Sequence, residues 1–164
     1  MIGTGSGRVS AGLTFLALVA LTAACGGSSS GGSGAAGAGR ALDKADLVAA
    51  ANAICVAEAQ TGSAVPTPSD INDADQAAAY FDKIDPIIGS ATNKLEALTP
   101  DDSVAADWNA FIGLRKQEAD LIHRIRTKAD AKDPSGLDDL RNSAPLARQV
   151  DTAATKVGAD SCAE

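Results

Sequence analysis

ADQAAAYFDKIDPIIGSATNKLEAL, residues 74–98, sets Ala74, Ala77, Phe81, Ile84, Ile88, Ala91, Leu95 and Leu98 at alternating intervals of three and four. Such spacing draws one apolar seam along a helix, and a seam held over three heptads belongs to a helix bundle rather than a sheet. Pro86 stands inside this run. It has no N–H to donate, and its ring crowds the carbonyl of Asp82. Either the helix bends there, or Asp85 caps a fresh helix with Pro86 at its first position. The apolar phase passes through Pro86 unbroken, so the sequence predicts one kinked helix.

Three further helical segments flank it. Upstream, Asp43 is an N-cap candidate with Asp46 three residues on, and Leu47, Ala50, Ile54 and Ala57 follow at helical spacing to a stop near Thr61-Gly62. Downstream, Thr99-Pro100-Asp101-Asp102 reads as the start of a third helix carrying Val104, Trp108, Phe111, Leu114, Leu121, Ile122 and Ile125. Arg115 and Glu118 fall on or beside that stripe and interrupt it. A fourth helix is predicted from Asp133-Pro134 to Gly158, with Leu137, Leu140, Ala144, Ala147, Val150, Ala154 and Val157 as its seam. Four amphipathic segments joined by short loops predict an all-α, antiparallel four-helix bundle over residues 41–164.

The chain ahead of this domain has a different character. Residues 1–24 hold one basic residue, Arg8, and then an uncharged run to Leu21 with about a dozen apolar positions, too few for a membrane span but suited to a secretory signal. Leu21-Thr22-Ala23-Ala24-Cys25 resembles the lipobox of bacterial lipoproteins, although Thr22 stands where Leu is commonest. That resemblance implies cleavage before Cys25 and diacylglycerol on its thiol. The alternative is an ordinary signal cut at an Ala-x-Ala-like site, leaving Cys25 as a free thiol. Residues 26–40 contain seven Gly, four Ser, three Ala and Arg40, a composition with nothing to bury. As a flexible tether it would span about 20 Å on average.

Setting Cys25 aside leaves Cys55 and Cys162, an even pair in an exported protein, and a disulfide between them is the economical reading; two separate thiols are the alternative. The pairing constrains geometry. Cys55 lies about 18 Å into the first helix, so the first and last helices must be offset or the tail 159–164 must fold back.

Lys44-Ala45-Asp46, Ala51-Asn52-Ala53-Ile54-Cys55, the proline-bearing second helix, Leu95-x-x-Leu98-Thr99-Pro100, Trp108 and Cys162 together resemble an uncharacterised family of small secreted actinobacterial lipoproteins. The resemblance covers nearly all of residues 43–162. It implies a helical fold, export and a disulfide, and brings no catalytic or ligand residues with it.

Composition and motifs speak against most chemistry. The net charge is −7 over 164 residues, and residues 41–164 hold twelve basic side chains against twenty-one acidic ones, a balance that disfavours nucleic acid as a partner. The single histidine, His123, follows Asp120 by three residues, yet one His cannot supply a ferritin-like dimetal site. No G-x-S-x-G elbow is present. The carboxylate pairs Asp101-Asp102 and Asp138-Asp139 stand in predicted first helical turns, where capping explains them. The expectation is a non-enzymatic protein without cofactor or metal, lipid-anchored through Cys25 on the extracytoplasmic face of the cell membrane, binding an envelope protein or a small ligand. The alternative function is a small-ligand or metal carrier with a cavity in the bundle. Arg115, Glu118 and His123 are the candidate ligand or partner residues, because Arg115, Lys116, His123, Arg124, Arg126 and Lys128 concentrate positive charge on one helix of an acidic domain. A solvated face balanced by acids is the plainer account of the same pattern.

Overall fold

The computed structural model describes residues 41–163. The expected signal (1–24), the lipidation residue Cys25 and the tether (26–40) lie outside the described residues. The described chain is all-helical: α1 (Lys44–Ser63), α2 (Ala74–Glu96), α3 (Ala105–Asp130), α4 (Ser135–Arg141), α5 (Ala144–Val157) and a short 3-10 turn (Asp160–Cys162). None of these helices is long and apolar enough to cross a membrane.

The helix starts follow local chemistry. Asp43 caps α1 as predicted, its Oδ1 accepting the Asp46 N–H at 3.0 Å. Asp73 caps α2 by accepting from the Asp75 and Gln76 N–H groups, both at 3.0 Å. The Gln76 side chain then reaches back, and its Oε1 accepts from the backbone and hydroxyl of Ser69 and from the Asp70 N–H. That contact organises the α1–α2 loop. α2 continues through Pro86 as one helix, as the unbroken apolar phase predicted.

Two predicted boundaries are corrected. The third helix starts at Ala105, not at Thr99-Pro100, because the backbone there is already committed: the Leu42 N–H donates to the Thr99 carbonyl and the Asp101 N–H to the Leu42 carbonyl, each at 2.8 Å. This parallel bridge pins the entry to α1 against the α2–α3 link, and Asp101 caps the intervening turn through Ser103. The fourth predicted helix is in fact two. Asn142 and Ser143 leave the helical path, with the Asn142 side chain donating to the Asp138 carbonyl and the Ser143 hydroxyl to that of Leu140. Pro145 then sits in the first turn of α5, where its missing N–H costs nothing.

α3 is the central element and borders α2, α4 and α5, while α1 packs against α2 and the C-terminal turn. Gly136 lets α4 approach α3 closely; a Cβ at that position would lie 3.0 Å from the Lys128 Cβ. The core is divided in two. One cluster gathers Leu47, Ala51, Leu95, Trp108, Phe111 and Val150 with the two cysteines, and the other gathers Ala77, Phe81, Ile125 and Ala129.

Cys55 and Cys162 form a disulfide with their Cα atoms 5.1 Å apart. The geometric question posed by the sequence is answered by reversal of the tail. Gly158 takes the left-handed conformation at φ 89°, and the chain turns back along α1. There the Asn52 Oδ1 accepts the Ser161 N–H at 2.8 Å and its amide donates to the Gly158 carbonyl at 3.5 Å. Replacing Gly158 by Ala therefore costs the left-handed strain of a β-carbon, while the space beside Val48 would admit the methyl group at ordinary contact distance. The variant is expected to lose about 1–2 kcal/mol in urea denaturation; an unchanged midpoint would mean that the reversal is not under conformational constraint.

Candidate functional site

Arg115, in the middle of α3, is only 3% exposed. It does not reach outward to solvent. Its Nη2 donates to both carboxylate oxygens of Glu58 on α1, at 2.6 and 2.7 Å, and its Nη1 to Glu118 one turn along α3. Among the described residues, Arg115 Nε and the buried Thr92 hydroxyl have no hydrogen-bond partner. The interruption of the third apolar stripe is thus a buried ionic band across the domain. Its first partner, Glu58, escaped the sequence reading. The signal was present: Leu47, Ala51 and Cys55 step by four along α1, and Glu58 is the next residue on that inward face.

His123 is not part of this group. It lies eight residues beyond Arg115, about 12 Å along α3, with its ring largely exposed and its Nδ1 3.0 Å from Asp85 Oδ2. The structure brings together Arg115 and Glu118 but not His123, and Asp85 on α2, rather than Asp120, is the carboxylate His123 meets. Among the described residues no group of three or more His, Cys, Asp or Glu side chains is placed to hold a metal ion.

The positive stripe of α3 is matched by acids on its neighbours. Lys116 pairs with Glu96 at 2.8 Å, Arg126 with Asp82 at 2.6 Å and with Asp85 at 3.2 Å, and Lys128 with Asp139 of α4 at 2.7 Å; Lys132, just beyond α3, pairs with Asp75 at 2.8 Å. Hydrogen bonds to those carboxylates raise the pKa values of Lys116, Arg126 and Lys132 above their usual ranges. Asp133, which accepts from Ser135, is held below the usual carboxylate range by that bond. These pairs lie at the surface, where solvent screens them and each contributes little. Together they set acids of α2 and α4 against much of the face that the sequence offers as an anion site.

A broad concavity lies elsewhere. A cleft of about 830 Å³ opens between the second half of α1, the α1–α2 loop, α2, α3 and α4. Ile71, Ile84, Ile87, Ile88 and Ile122 line it together with Tyr80 and Phe81, and Glu58 stands in its wall. Its position follows from an incomplete seam. Ala77, Phe81, Ala91 and Leu95 of the α2 stripe are buried, whereas Ile84 and Ile88 between them are covered only in part. A volume near 800 Å³ with apolar walls and a few polar groups falls within the range of small-molecule sites.

Comparison with protein-family models, curated proteins and solved structures gives no match to this chain.

Proposed function

We propose that the chain is a lipoprotein held by Cys25 on the extracytoplasmic face of the cell membrane, whose helical domain acts by binding and not by catalysis. The lipobox-like Leu21-Thr22-Ala23-Ala24-Cys25, the Gly/Ser-rich residues that follow and the likeness to small actinobacterial lipoproteins support the anchor. On this reading the domain is an antiparallel four-helix bundle in which α4 and α5 share the fourth position. The observation that carries binding is the apolar cleft, which leaves half-covered isoleucines on a helix face whose spacing is that of a buried seam. It favours the small-ligand carrier over the metal carrier, since five isoleucines line the cleft and its lining holds two carboxylates and no His or Cys.

Two measurements in living cells test the two halves of this reading. Radioactive fatty acid is expected to label the wild-type protein and not Cys25→Ala; equal labelling would overturn the anchor. A photoreactive residue at Ile88 is expected to give envelope adducts that the same group at exposed Gln149 on α5 does not. Indistinguishable adducts from the two positions, or none from Ile88, would overturn binding through the cleft.

A further inference from the structure

Resting on that binding reading, we propose that the cleft selects a small organic cation with an apolar body, such as a hydrophobic amine or quaternary ammonium compound. The body is accounted for by the isoleucines, which come from the loop, α2 and α3 and present no polar atoms. The charge is specified by what surrounds them. The charged side chains among its lining residues are both acidic: Glu58, whose charge Arg115 balances, and Asp70, which accepts from the amides of Asn72. No Lys, Arg or His is among its lining residues, in a domain that is itself strongly acidic.

Both carboxylates are fixed before any ligand arrives. Glu58 is gripped through its two oxygens by Arg115 Nη2. Asp70 sits in the loop that Gln76 organises, and its Oδ1 accepts from the Asn72 backbone and side-chain amides. A carboxylate already held in place, such as Asp70, needs little reorganisation on binding. Tyr80 and Phe81 add a second attraction. Their rings meet edge to face with centroids 5.3 Å apart, and half-buried Tyr80 leaves aromatic surface to the cleft, where a ring face draws cations. An anionic amphiphile would instead place its charge near Asp70 with no basic lining residue to meet it, a repulsive element that adds to selectivity.

The test uses the whole chain carrying Cys25→Ser, so that no attached acyl chain competes. Decyltrimethylammonium, decanoate and decyl maltoside are titrated calorimetrically below their aggregation concentrations. The ammonium is expected to bind at least tenfold more tightly than decanoate, and this preference to shrink severalfold in Asp70→Asn and in high salt, since exposed charge is screened. Ile88→Lys, at a half-covered position, is expected to lose ammonium binding with an unchanged melting curve. Equal affinity for all three probes, preference for decanoate, or no binding of the ammonium would each overturn the proposal. Equal affinities abolished by Ile88→Lys would remove the charge selectivity while leaving the cleft as a binding site, and the photo-adducts at Ile88 report on the site independently of ligand charge.

Discussion

Arg115→Ala is expected to lower unfolding free energy by about 3–5 kcal/mol, the range for removing one partner of a buried ion pair. Against a total of about 5–15 kcal/mol for a typical domain, that is a large share. The reason is asymmetric. In the native protein the guanidinium is nearly inaccessible and bridges carboxylates from two helices, Glu58 on α1 and Glu118 on α3. Truncation leaves those carboxylates in place, each still mostly shielded from water, with the charge that compensated them gone. Arg115→Lys is expected to recover only part of the loss, because an ammonium lacks the planar fork that meets Glu58 and Glu118 at once. The double variant Glu58→Leu with Arg115→Met should be close to wild type or above it, since well-packed apolar groups escape the desolvation penalty. Urea denaturation of the set decides the matter. A loss below about 1 kcal/mol in Arg115→Ala would show that the band is solvated and does not organise the core.

Reduction of the Cys55–Cys162 disulfide is the second large effect. The bond closes a loop of 107 residues, for which the chain-entropy account gives up to about 4–5 kcal/mol. For a domain of this size the corresponding fall in Tm is about 10–20 °C. The native contacts around the bond indicate where loosening begins. The tail meets α1 through the disulfide, the Asn52 bonds to Gly158 and Ser161, and the buried Ala159 and Cys162 side chains. With the bond gone, hydrogen exchange at the amides of 159–163 should accelerate before that of α2 and α3, because those helices make no use of the tail for their own pairing. A Cys162→Ser variant melting within about 2 °C of wild type would mean that the packed tail alone provides the closure.

Much of the helical reading rests on features that act within a few residues. Asp43 caps α1 because its side chain reaches the third residue on, and Gly158 ends α5 because only a residue without a β-carbon accepts the left-handed turn easily. The course of α2 through Pro86 was legible for a related reason. Its apolar phase would have shifted had the helix broken there. The pairing of Cys55 with Cys162 was legible by counting, once Cys25 was assigned elsewhere.

The errors occurred where a distant partner outweighed a local preference. Thr99-Pro100-Asp101 has the composition of a helix start, but its backbone bonds to Leu42, more than fifty residues earlier, take the groups a first turn would use. The seam proposed for one fourth helix is divided at Asn142-Ser143, where side chains compete for the helical carbonyls and Pro145 favours a new start. His123 was grouped with Arg115 on the strength of charge and of sharing one helix. The 3.6-residue repeat and the acids of α2 send it to Asp85 at the surface.

From the sequence alone came the helical class, the capping of α1 and the unbroken second helix, consequences of spacing along one chain, and the cysteine pairing, a consequence of counting. Only the tertiary structure decided that Arg115 turns inward to Glu58, and that Ile84 and Ile88, identical in pattern to their buried neighbours, line a cleft. Periodicity states which face of a helix is apolar. Whether that face is covered depends on where the other helices end and how close they come, and no residue of α2 encodes that by itself.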